Sequence, residues 1–188
     1  MELHGKNFIS GGFMNRSNKQ ILFLLMVLFS TISCSQKEAP QITELKSYPA
    51  DDLSGVVNLS HVTLDTMNKF EGSGSLKIDT EKPRVMKLYE TGDLEAENCR
   101  IAYQAQLKSA GHQGEAYLEM WCHFPGKGEF FSRGLHSKIS GDTGWSSHET
   151  IFTLSEKENP DNIKLNLVVN GSGTVWIDDI RLKKIPIE

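Results

Sequence analysis

From about Asp51 onward the chain is strand-like almost throughout, and within its longer runs apolar and polar residues alternate with a period of two. Residues 99–108 put Cys99, Ile101, Tyr103, Ala105 and Leu107 on one side and Arg100, Ala102, Gln104, Gln106 and Lys108 on the other. Residues 116–124 repeat the pattern: Ala116, Leu118, Met120, Cys122 and Phe124 alternate with Tyr117, Glu119, Trp121 and His123. A strand turns successive side chains to opposite faces, so the first set of each run is core and the second faces outward. Leu165, Leu167 and Val169 extend the core, while Lys164, Asn166 and Asn170 extend the outer face. Ser75–Thr80, Arg84–Thr91 and residues 130–136, 149–154 and 174–183 are further strand-like runs, separated by Gly, Pro and Asn clusters at nearly regular intervals. Short β-rich segments with such punctuation predict an all-β sandwich of about eight or nine antiparallel strands. No long helical stripe and no fixed repeat interrupts it.

The cluster from Gly111 to Gly114 predicts a hairpin between residues 99–108 and 116–124, which merges their outer faces into one polar patch with aromatic islands. One register of that hairpin sets Cys99 opposite Cys122, within reach of a disulfide, and a shifted register leaves two buried thiols.

The N-terminal third follows another pattern. After Arg16 and Lys19 come nine apolar residues, Ile21 to Phe29, too few for the roughly 20 that a membrane-crossing helix needs. A basic flank, a short apolar core and small residues before a break describe a signal peptide over residues 1–33, with Met14 as an alternative start. The break, Thr31-Ile32-Ser33-Cys34, resembles the lipobox of bacterial lipoproteins, although Thr31 stands where Leu, Val or Ile is usual. The resemblance implies an acylated Cys34, hence palmitate-like chains, as the mature N-terminus. Each buried methylene contributes roughly 0.8 kcal/mol, so several chains hold a soluble domain at a membrane. The next residues, Ser35-Gln36-Lys37-Glu38, resemble the export signal that Bacteroidetes place after a lipidated Cys, and solvation explains a charged tether equally well. Residues 34–50 are thus expected to be a flexible tether, and 51–188 the sandwich domain. The expected location is the bacterial cell envelope, at the outer membrane.

Charge narrows the partners. The 188 residues carry 20 basic and 24 acidic groups, a net charge of −4, and the part from Cys34 onward keeps 17 and 23, or −6. Nucleic-acid binding needs clustered Lys and Arg, so no nucleic acid is expected. An acidic face also disfavours anionic headgroups, which leaves any membrane attachment to the acyl anchor.

Phe70-Glu71-Gly72-Ser73-Gly74-Ser75-Leu76-Lys77-Ile78, the Gly144-Trp145 turn before Ile151-Phe152-Thr153-Leu154, and Gly173-Thr174-Val175-Trp176-Ile177-Asp178-Asp179-Ile180-Arg181-Leu182 resemble the galactose-binding-like jelly rolls, which include carbohydrate-binding modules. The resemblance implies a jelly-roll β-sandwich, core positions for Trp145 and Trp176, and a carbohydrate or protein ligand. Asp178 shares the parity of Trp176, Ile180 and Leu182 and is expected to be buried, which requires partners. Two answers are open: backbone N–H groups of the glycine loop, or a structural calcium ion of the kind the family holds.

Catalysis is not expected. The six histidines form no HExxH pair, Cys122 and His123 point to opposite faces, and neither a nucleophile elbow nor a phosphate loop is present. Glu119, Glu129 and Glu149 are the ordinary carboxylates of an acidic β protein. The candidate binding residues are Trp121, Glu119, Tyr117, His123, Arg100, Gln104 and Asn166: a ring for stacking on a pyranose, with polar groups for its hydroxyls. An edge loop over Trp121 is the other outcome. The chain is expected to be a membrane-anchored, non-catalytic carbohydrate-binding module, or else a structural or protein-interaction module of an envelope assembly.

Overall fold

Residues with alternating polarity form strands here, and they do so without any helix among the described residues. In the computed structural model, which describes residues 41–187, the order is β1 (Thr43–Tyr48), β2 (Val62–Asp65), β3 (Ser75–Thr80), β4 (Arg84–Thr91), β5 (Cys99–Phe124), β6 (Gly128–Arg133), β7 (Ile139–Leu154) and β8 (Asn162–Pro186). The predicted signal peptide and Cys34 lie outside the described residues. Within the expected tether, residues 43–48 are β1, paired with β8 from Thr43↔Lys184 to Tyr48↔Ile180, so the sheet begins before Asp51.

The largest difference from expectation is in the centre. Residues 99–124 make no hairpin; they are one strand, antiparallel to β8 from Cys99↔Pro186 to His123↔Asn162. Glycines that resemble a turn make a corner instead. Gly114 and Gly171 have positive φ values of 138° and 155°, and the two backbones approach so closely that a Cβ on either would lie 2.0 Å from the other strand's carbonyl oxygen. Only glycine admits both the dihedral angle and the approach.

The corner divides the continuous ladder into two half-sheets. The first contains β4, residues 163–169 of β8, residues 116–124 of β5, and β6; the second contains β2, β3, β1, the rest of β8 and β5, and most of β7. Their inner faces meet. Phe124, at the end of β5, lies 6.1 Å from Phe152, whose cross-strand neighbour is Ile101 near the start of β5. Tyr48 of β1 stacks on Tyr89 of β4 at 4.1 Å. Every apolar-side residue predicted for 99–108 and 116–124 belongs to one core, with Leu165, Leu167 and Val169. The result is a β-sandwich closed by folding one sheet over itself.

Cys99 and Cys122 therefore stand at opposite ends of the same strand, and both are free, buried thiols. Burial pushes the Cys122 thiol up to about 12 and raises Cys99 as well, which keeps both protonated and unreactive at neutral pH.

A bulge corrects the expected parity of β8. Val175 and Ile177 point into the core, and so do Ile180 and Leu182; an odd pair followed by an even pair requires one extra residue. The register supplies it, since Arg181 pairs with Gln104 and Asp178 with Gln106, leaving Ala105 opposite two residues. Asp179, in the bulge, has φ 46°. Asp178 and Trp176 thus share the outer side, away from Ile180 and Leu182.

Candidate functional site

Asp178 is fully buried although it lies on the outer side, because the 65–74 loop covers it. Its Oδ2 accepts the N–H groups of Phe70 at 2.7 Å and Glu71 at 3.2 Å, and its Oδ1 accepts that of Asp179 at 2.7 Å. Burial still raises its pKa above the usual carboxylate value, with the three N–H groups opposing. Both oxygens face donors, a set that does not fit calcium, which needs converging oxygen lone pairs. The glycine loop itself closes on a different carboxylate: Asp51 accepts the N–H groups of Ser73 and Gly74. A Cβ at Gly72 would lie 2.3 Å from Asp51 Oδ1, so glycine is required there. Trp176, covered by the same loop, donates its Nε1–H to Asp65 at 2.8 Å, and Lys108 lies over its ring at 5.2 Å. Trp145 is not core; it is half-buried, edge-on to Phe70 at 6.2 Å.

The predicted binding residues separate into two groups. Tyr117, Glu119, Trp121, His123 and Asn166 share the outer face of the first half-sheet, where the cross-strand pairs Glu119↔Asn166 and Trp121↔Lys164 set them side by side. Arg100 and Gln104 are on the second half-sheet, facing away on the far side of the corner; Gln104 donates to Glu149 at 2.8 Å. The predicted hairpin is what had united them.

Glu119 organises the first group. It is 3% exposed, although its parity is outward, because its neighbours lean over it. Its Oε1 accepts Trp121 Nε1–H at 2.7 Å and Asn166 Nδ2–H at 3.2 Å, and its Oε2 accepts Arg133 Nε–H at 2.6 Å. A buried carboxylate so paired locks three outward side chains in place. The hydrogen bond to Glu119 holds the Arg133 guanidinium above its usual range. Phe131, opposite Trp121 on β6, completes the surface: its ring lies 5.0 Å from that of Trp121, and Arg133 Cζ sits 4.5 Å from its centre. At the rim, Lys164 pairs with Glu129, which lowers the carboxyl and raises the ammonium, and His123 Nδ1 meets Asp161 at 2.5 Å.

These side chains line a groove. One depression of about 300 Å³ is bounded by Val85, Lys87, Trp121, Lys164 and Asn166; an adjoining one of about 340 Å³ reaches Arg84, Tyr117 and Val168. Val85, Glu119 and Arg133 belong to both. A larger hollow of about 630 Å³ beside Gly173 is lined by no Phe, Tyr or Trp, and its polar groups are partly spent, as in Thr174 to Asp79 and Thr80 to Gly171. Its one ring is the imidazole of His61.

No protein-family model matches the chain, and no curated protein sequence does. Solved structures do. The CBM22-1 xylan-binding domain of Paenibacillus barcinonensis Xyn10C aligns with a TM-score of 0.57 over 80% of this chain and 99% of its own, at 11% identity. The chain shares that β-sandwich. The CBM22-1–GH10 modules of Clostridium thermocellum Xyn10B, complexed with xylohexaose, align with a TM-score of 0.58 and 10% identity over 75% of this chain, which spans 28% of theirs. The CBM22-2 xylan-binding domain of the Paenibacillus enzyme gives 0.51 at 6% identity, over 78% of this chain and 99% of that one.

The predicted set lacks Val85, Lys87 and Arg133, which line the groove, and Phe131, which backs Trp121. Phe131 and Arg133 carried a signal: they alternate along β6 in the outward phase. Lys87 did not, because nothing local places β4 beside β8.

Proposed function

We propose that this chain is a non-catalytic carbohydrate-binding module, held at a bacterial membrane by acyl chains on Cys34. The groove on the first half-sheet carries the proposal: the apolar surface of Trp121, backed by Phe131, beside polar groups of Asn166 and Arg133 that Glu119 holds in place. A pyranose presents a C–H face that packs on aromatic rings and a rim of hydroxyls that pair with polar groups, which is the division of labour seen in small-molecule sites. The xylan-binding names of the similar domains support the same ligand class.

Trp121→Ala is expected to remove most glycan binding, measured on a glycan array with the full chain in detergent. Its melting temperature is expected to fall less than for a fully buried aromatic, whose truncation costs about 3–5 kcal/mol. One feature favours the second reading, an envelope scaffold: Trp121 leans on Phe131 with its N–H committed to Glu119. A stable Trp121→Ala protein with an unchanged glycan profile would transfer the face to that reading.

The anchor has its own test. Labelled fatty acid is expected in the wild type and not in Cys34→Ala, and the variant is expected to leave the detergent phase. Absence of label from the wild type refutes the anchor and leaves the sugar reading intact.

A further inference from the structure

We infer that the groove selects glycans that carry carboxylates, an inference that rests on the carbohydrate reading above. The polar atoms left over by the groove's internal pairing decide the matter. Each oxygen of Glu119 already has a donor, and of Glu129, at the rim and paired with Lys164, only Oε2 stays open. Arg133 uses only Nε on Glu119, so its two Nη groups have no partner among the described residues. Lys87, exposed on β4, has no ion pair among them either, and the buried Nε of Arg84 has no hydrogen-bond partner. The one buried acceptor of the groove without a partner among the described residues is Oδ1 of Asn166, which is 4% exposed. Its Nδ2 is committed to Glu119, which fixes the amide orientation.

This remainder is not what a neutral sugar asks for. Hydroxyls donate as readily as they accept, whereas the free groups are mostly the donors of Arg84, Lys87 and Arg133, which carry positive charge. Around the groove stand Arg84, Lys87, Arg133 and Lys164 against Glu119 and Glu129, on a chain whose net charge is −4. A uronate carboxylate accepts only, is planar, and matches a guanidinium fork through two parallel N–H···O bonds. Arg133 is already held in one pose by Glu119 and by the Phe131 face, so little conformational freedom is lost when its fork is used. A sugar ring resting on Trp121 brings its carboxylate to Arg133 and Lys87, which line the same depression, with a hydroxyl donating to Asn166.

The test compares uronate polymers of several linkages, including polygalacturonate and alginate, each with its carboxyl-reduced form, using the full chain in detergent at low salt. At least one acid polymer is expected to bind about tenfold or more tightly than its reduced partner, with the difference shrinking as salt rises. Arg133→Lys keeps the charge and loses the fork, and is expected to abolish most of the preference. Lys87→Gln is expected to weaken acid binding several-fold, and Lys46→Gln, on the other half-sheet, to change nothing. Melting temperatures accompany each variant, and Lys87, being exposed, keeps the test valid where Arg133→Lys unfolds. Equal binding of acid and reduced forms overturns the inference and leaves the carbohydrate reading standing. Failure to bind any of these polymers, or xylan, overturns both.

Discussion

Replacing Gly171 by alanine is expected to cost more than about 4 kcal/mol, enough to unfold many domains of this size. The new Cβ would sit 2.0 Å from the carbonyl oxygen of Gln113 and 3.0 Å from Cα of Gly114, both backbone atoms of a strand that cannot move without breaking the ladder. The φ of 155° adds strain for any residue with a side chain. Gly126 is the control. It also has a positive φ, 73°, but its Cβ would meet nothing within 4 Å, so Gly126→Ala pays only the left-handed penalty of about 1–2 kcal/mol. Urea denaturation of the two variants separates crowding from conformation. Similar losses for both would mean that the strands at the corner can part.

Asp178→Ala is expected to lower stability by about 2–4 kcal/mol, since a buried donor left unpaired costs about 1–3 kcal/mol and Phe70, Glu71 and Asp179 all lose their acceptor. Part of the loss is offset because burying the carboxylate is itself unfavourable, as its raised pKa records. At roughly 2–4 °C per kcal/mol for a domain of this length, the melting temperature falls by about 5–15 °C. Chelator is expected to leave the wild type unchanged. A wild type that melts lower in chelator, by the same amount as the variant, would make Asp178 an ion ligand.

Alternation along the chain identifies both faces of β5 and the core of residues 163–169, because period two is a local property that survives whatever the strand pairs with. It does not identify the corner. Gly111 to Gly114 satisfy a hairpin as well as they satisfy a fold in a continuing strand, and the choice depends on the backbone of Asn170, Gly171 and Gly173 pressing against them from β8, far away in sequence. That one ambiguity sent Arg100 and Gln104 to the wrong face. The bulge at Asp179 is legible in retrospect, since Val175, Ile177, Ile180 and Leu182 cannot all face one side of an unbroken strand. The burial of Glu119 is not, for its cover comes from Arg133 on β6 and Asn166 on β8.

The long ladder between β5 and β8 also has a kinetic consequence. Its nearest pair in sequence, His123↔Asn162, already encloses the β5–β6 turn and all of β7, and its last, Cys99↔Pro186, waits for almost the end of the chain. Contacts so remote must close large loops before they repay the entropy, which slows folding. The β5–β6 hairpin, joined by only three residues, is the one part of the first half-sheet that can form early. A chain emerging from synthesis or export therefore holds β5 with half its edge unpaired until β8 arrives. That interval, rather than the finished sandwich, is when this protein is most exposed to aggregation.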